Sequence, residues 1–341
     1  MKSNSIFIIV LLSSFLASCV SQLPLTNNES LAPEAIESSA ALEKADLPLS
    51  KITSESLYDL LVGDVALSRS QFDIALIKYA HQARVTEDKE VIQLALRIAE
   101  HLKDQAIRLE MTLLWLDIAP DSPEAHRVAL DTFMDSGNVL EALNHGSWLY
   151  QHRDDLDAFI FVSTAPLESP QLFALIMDRL TTLSLSDDKM ATIKFIQALF
   201  YQKHSQTIKA ETKVREFLVH KRQDQRGLLL LAQLLHQQEK KNEAIDVLEE
   251  ALQDDPSAHK LRLQYARFLA AESVEEAIVQ FNLLQVSDPQ DQEVNFLLGL
   301  LRLSQNKLDL AIPLFQQASS TPSLRANAQY HLGTIAERQK R

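Results

Sequence analysis

The chain has 341 residues, with 33 Lys and Arg against 46 Asp and Glu for a formal charge of −13, and a single cysteine, Cys19. This acidic balance, with no basic stripe interleaved with aromatics, argues against a nucleic-acid ligand, whose phosphates call for clustered Lys and Arg. One thiol cannot form an intramolecular disulfide or a multi-cysteine metal site.

The amino terminus carries the first element. Lys2 precedes an unbroken apolar run over residues 6–12, followed by small residues and the tetrapeptide Leu16-Ala17-Ser18-Cys19. This order reads as a lipoprotein signal peptide over 1–18, and the run is shorter than the roughly 20 residues a transmembrane helix needs. Cleavage at such a site requires the thiol first to take a diacylglyceryl thioether, so the mature chain is expected to begin at a lipidated Cys19. Loss of Lys2 then takes the charge from −13 to −14. Acyl chains on one residue make a durable anchor, each buried CH₂ contributing about 0.8 kcal/mol. Val20 stands where inner-membrane retention usually shows Asp, which points to the periplasmic face of the outer membrane. An ordinary signal peptide with a chance cysteine is the alternative.

Residues 19–52 are rich in Ser, Pro, Glu, Asn and Ala, with Pro24, Pro33 and Pro48 spread through them. With no sustained apolar period they are expected to form a tether, with at most a transient helix over 34–44.

From Thr53 onward the pattern is a series of amphipathic helices, and no alternation of Val, Ile and Thr suggests a strand. Thr53-Ser54-Glu55, Ser122-Pro123-Glu124 and Ser169-Pro170 each place a capping hydroxyl before a first turn. Helix pairs are expected at about 88–118, 123–151 and 156–185, with Gly137 at a turn and Pro166 making the third pair irregular. Asp154-Asp155-Leu156-Asp157 reads as a helix cap rather than a calcium site. His126, His145 and His152 read as ordinary helical histidines, and Trp115 and Trp148 as core.

Farther along, Ala210, Ala244, Ala277 and Ala311 recur at intervals of 34, 33 and 34 residues, with Pro256 and Pro289 each 12 residues after one of them. That period is the tetratricopeptide repeat. The clearest unit starts at Gln225, with Leu228, Leu231, Ala232 and Leu235 on its first helix and Ala244, Leu248 and Ala251 on its second. Gly63, Gly299 and Gly333 fall where the two helices of a repeat cross; an interior Gly costs about 1 kcal/mol against Ala, so a steric demand is expected there. The expected fold is all-α, a right-handed superhelical solenoid over 54–341 with about eight helix pairs and a polar C-terminal capping helix.

The concave face of such a solenoid is lined mainly by the first helix of each pair. The candidate partner-binding positions are Arg226, Leu229, Gln233 and His236; then Lys260, Leu263 and Arg267; then Glu293, Phe296 and Leu300. Their mixed character suits a protein or peptide, not a small-molecule substrate. The chain carries no His-Glu-x-x-His, nucleophile elbow or phosphate-cradling glycine loop, so neither enzyme chemistry nor a cofactor or metal is expected.

The stretch Leu57-Tyr58-Asp59-Leu60-Leu61-Val62, with Arg69, Phe72-Asp73-Ile74-Ala75-Leu76, Tyr79, Gln82-Ala83-Arg84 and Ala99-Glu100, resembles the first repeats of a family of proteobacterial tetratricopeptide lipoproteins. The resemblance is specific over about 54–125. It implies an outer-membrane adaptor that binds a periplasmic carboxyl-terminal-processing protease and helps deliver peptidoglycan hydrolases for degradation. The second reading is an assembly lipoprotein, either a secretin pilotin or an accessory of barrel insertion.

Overall fold

The computed structural model describes residues 53–339 apart from Glu168. The expected leader, Cys19, the tether and the end of the polar tail lie outside these residues. The described residues form seventeen helices and no strand, so the all-α expectation holds. They divide into two compact units that meet in sequence between Gln206 and Thr207.

The N-terminal unit contains α1 (Ser54–Ser68), α2 (Phe72–Thr86), α3 (Lys89–Leu102), α4 (Gln105–Ile118), α5 (Pro123–Asp135), α6 (Val139–Arg153), α7 (Leu156–Val162), α8 (Pro170–Thr182) and α9 (Asp187–Lys203). The caps are those the sequence marks. Thr53, Ser122 and Ser169 accept the amides of Ser56, Ala125 and Leu172 at 3.1, 3.2 and 3.1 Å. Asp155 accepts the amide of Ala158 at 2.9 Å and pairs with Arg127, while Asp154 ends α6 in the left-handed conformation and pairs with Lys189. The acidic run is a cap. Helix α7 has only 7 residues, and the Pro166 region separates it from α8.

The C-terminal unit contains α10 (Thr207–His220), α11 (Gln225–Gln237), α12 (Lys241–Asp254), α13 (His259–Glu272), α14 (Val274–Ser287), α15 (Gln292–Ser304), α16 (Leu308–Ala318) and α17 (Pro322–Gln339). The periodic alanines Ala210, Ala244, Ala277 and Ala311 are all fully buried, as befits positions where little more than a methyl group fits against close-packed helices. Pro313 sits inside α16 on an exposed face.

The crossing glycines divide. A β-carbon at Gly63 would lie 2.8 Å from the Tyr79 ring, and one at Gly299 would lie 3.0 Å from the Phe315 ring. Each glycine thus makes room for an aromatic on the second helix. Gly333, expected at the same kind of crossing, has no atom within 4 Å of where its β-carbon would be; no second helix packs on that face of α17 among the described residues. Trp115 is core, at 3% exposure. Trp148 is not: it is half-buried and stacks between two imidazoles.

Candidate protein-interaction surfaces

The first hairpin carries an apolar surface over a polar brace. On α1, Leu57, Leu61 and Val65 follow the i, i+4, i+8 spacing of one helical face and are 54%, 55% and 49% exposed, with Tyr58 beside them at 62%. Beneath this stripe the buried carboxylate of Asp59 accepts from Lys78 Nζ at 2.7 Å and Gln82 Nε2 at 3.1 Å, and lies 2.9 Å from His81 Nδ1. All three partners are on α2, so one side chain ties the hairpin together. The bonded Lys78 ammonium, reinforced by Gln82 and His81, holds the Asp59 carboxyl below its ordinary value. Tyr79 donates to Asp64, also across the hairpin, and burial followed by that bond raises its phenol well above the ordinary value. The sequence marked Leu57, Tyr58 and Leu61 as part of a family likeness; their exposure is what the structure adds.

The candidates on α11, α13 and α15 separate by accessibility. Arg226 and Lys260 are exposed, and Leu229, Gln233, His236, Leu263 and Glu293 are half-buried. His236 stacks on Phe268, with ring centroids 4.4 Å apart. Arg267 is 8% exposed and pairs with Glu293, so its charge is already matched inside the fold. Phe296 and Leu300, expected on the partner-binding face, are core residues at 1% and 5% exposure. The reason is local: α16 and α17 cover this side of α15, and Phe296 packs against Phe315 and His331 at 5.7 and 6.0 Å between centroids.

A histidine cluster on α5 and α6 was not legible as a unit. His126 Nε2 lies 2.8 Å from the Pro120 carbonyl, and His126 Nδ1 lies 2.9 Å from His145 Nδ1. The Trp148 ring stacks on His126 at 3.6 Å and on His152 at 4.4 Å. Burial lowers the pKa of His126, and burial reinforced by His126 lowers His145 to about 4. One buried and one half-buried imidazole with depressed basicity and an indole make a packing device; no group of three His, Cys, Asp or Glu among the described residues is placed to hold a metal.

Tetratricopeptide repeat family models match residues 226–268, 267–323 and 296–341. Residues 226–341 therefore carry tetratricopeptide repeats. The chain is 29% identical over 232 residues to the TPR repeat-containing protein PA4667 of Pseudomonas aeruginosa, a match covering 68% of this chain and 38% of that protein. The chain therefore spans well under half of that relative's length. Among solved structures it resembles a tetratricopeptide repeat protein from Parabacteroides merdae, at 11% identity over 83% of this chain and all of the other, with a TM-score of 0.44. It also resembles MamA from Desulfovibrio magneticus, at 18% identity over 46% of this chain and 88% of the other, with a TM-score of 0.41. The repeats make the chain an interaction scaffold in character, since stacked helix pairs present extended surfaces to proteins and peptides.

Proposed function

We propose that this protein is a non-catalytic adaptor, anchored to the periplasmic face of the outer membrane through lipidated Cys19, that binds a periplasmic carboxyl-terminal-processing protease and promotes degradation of peptidoglycan hydrolases. The observation that carries the reading is the apolar stripe Leu57, Tyr58, Leu61 and Val65. It lies on the segment that resembles the adaptor family, and exposed apolar side chains clustered on one braced face are the usual mark of a protein interface. The physical basis of the activity is effective concentration: a scaffold holding protease and hydrolase together makes their encounter intramolecular, which raises avidity by roughly 10²–10⁴ with no change in the active site.

The test is a purified mixture of the cognate protease and a candidate hydrolase, with and without this protein. The protein alone should cleave nothing, and its addition should accelerate hydrolase loss. Deleting residues 54–86 should weaken protease binding while the later repeats stay folded, because each repeat contacts only its neighbours. An unchanged rate together with no detectable complex would overturn the adaptor reading and point to the assembly-lipoprotein role.

A further inference from the structure

We propose that a cleft between α10 and α12, the second helices of neighbouring hairpins, is a docking site for an amphipathic helix of a partner protein, acidic along one flank and basic along the other.

The two helices are laced together at their first halves. Glu211 on α10 accepts from Gln238 at 2.7 Å and from Lys240 at 3.1 Å just ahead of α12, and Arg215 lies 3.9 Å from Glu243. Past that seam they enclose a cleft of about 1200 Å³. Its floor is apolar: Leu218, Leu228 and Val247 are half-buried there, and Leu231 and Leu261 close it from below at 4% and 1% exposure. Val219, 72% exposed, stands at the rim.

The two lips carry opposite charge. Lys221 and Arg222 follow α10 on one side, and Glu250 and Asp254 lie on α12 on the other. All four are exposed, and none of their side chains makes a hydrogen bond or ion pair with another described residue. In a hairpin array so densely laced by Glu211, four unmatched charges flanking an apolar trough leave a pattern that a ligand can complete. Electrostatic complementarity of this kind sets orientation and partner choice.

The volume fits the occupant. Small-molecule pockets hold about 300–1,000 Å³, whereas a helix about 10 Å across with a 5.4 Å pitch fills roughly 1200 Å³ in three turns. The described residues contain no strand and so offer no open sheet edge on which an extended peptide could pair its backbone. A helix, with its amides bonded internally, meets an apolar floor without loss. The first helices α11 and α13 contribute Leu228, Leu231 and Leu261 to the floor, but none of the candidate partner-binding positions on those helices lines the cleft. It does not depend on the adaptor reading.

The test uses three synthetic helical peptides of roughly four turns with one identical leucine face: one with Glu along one flank and Lys along the other, one with Lys on both, and one with Glu on both. Binding to the full chain is followed by fluorescence anisotropy at low and high salt. The two-signed peptide should bind saturably, at least tenfold tighter than either single-signed peptide, and should weaken in high salt. A Lys221→Glu/Arg222→Glu double variant makes both lips acidic and should shift preference to the Lys-flanked peptide. Glu250→Lys/Asp254→Lys should shift it to the Glu-flanked one. These positions are exposed, and circular dichroism checks that each variant keeps its helices. Absence of saturable binding by the two-signed peptide, or a peptide preference unmoved by either double variant, would overturn the proposal.

Discussion

Lowering the pH from 7 to 5 should loosen the α5–α6 hairpin through His145. The hydrogen bonds define the neutral pair: His126 donates from Nε2 to the Pro120 carbonyl, which leaves its Nδ1 as the acceptor for the Nδ1 proton of His145. A proton added to this pair enters a poorly solvated site, with Phe133 stacked on His145 at 5.5 Å. Among the described residues, Glu141 for His145 and Asp121 for His126 are the charges that favour it, and they are outweighed by burial. The folded pKa of His145 is about 4 against an ordinary 6.5. Since the folded value is depressed, the unfolded chain binds the proton first. Stability is therefore level above pH 6.5, falls as pH drops below it, and levels again near pH 4. Integrating that proton linkage gives a loss of about 2 kcal/mol at pH 5 and about 3 kcal/mol at pH 4. Urea unfolding followed by tryptophan fluorescence reads this directly, because Trp148 lies against His126. His145→Gln keeps an amide donor facing His126 but cannot titrate, so the wild-type loss between pH 7 and pH 5 should exceed that of the variant by about 2 kcal/mol. Equal losses in the two proteins would show that the His pair does not carry the pH dependence.

The glycines and the anchor supply two further expectations. Gly299→Leu should overpack Phe315 and cost roughly 1–3 kcal/mol, whereas Gly333→Leu, facing open space, and Gln305→Ala should each stay within about 0.5 kcal/mol of wild type; equal melting shifts for Gly299 and Gly333 would refute the crossing assignment. Cys19→Ser should abolish normal processing and outer-membrane fractionation, and a mutant that still fractionates with outer membrane would sink the lipid anchor.

The sequence is most readable where geometry repeats. The 34-residue spacing of Ala210, Ala244, Ala277 and Ala311 is legible because each occupies the same confined space between two helices, and all four are fully buried. Hydroxyl caps are legible because only a short polar side chain can reach the free amides of a first turn. Turns were less so. Among the described residues, seven non-glycines, Ser70, Glu87, Lys103, Asp154, Ser205, Glu239 and Asn306, take left-handed conformations, and Gly137 is the one glycine that does. Each of the seven sits at a helix C-terminus, where local closing bonds such as Gln71 N–H to the Ala66 carbonyl and Asp104 N–H to the Ala99 carbonyl accompany that conformation without a glycine. Exposure was the least legible property. Phe296 stands in the register of Leu229 and Leu263, and Leu300 in that of Gln233 and Arg267, but α16 and α17 cover them, and the His126–Trp148–His152 stack arises from spacings that also suit unrelated surface residues. The α10–α12 cleft could not be read at all, because its lips come from a loop and from a helix 30 residues away.

The two proposed surfaces lie far apart in sequence and in different units, which makes them separable. Helix pairs in a repeat array exchange energy chiefly with their immediate neighbours, so a perturbation of α1–α2 decays before α10 where the buried clusters are separate. Tyr79, Ala75 and Ala83 belong to a cluster drawn from α1–α5, while Phe281, Phe296 and Phe315 belong to another drawn from α13–α17. Deletion of 54–86 should then leave peptide binding at the cleft unchanged. Charge reversal at Lys221 and Arg222 should likewise leave protease binding unchanged. Coupling between the two, seen as a loss of cleft binding in the deletion or of protease binding in the charge variant, would mean that the surfaces form one site, and a single extended partner would then have to span both units.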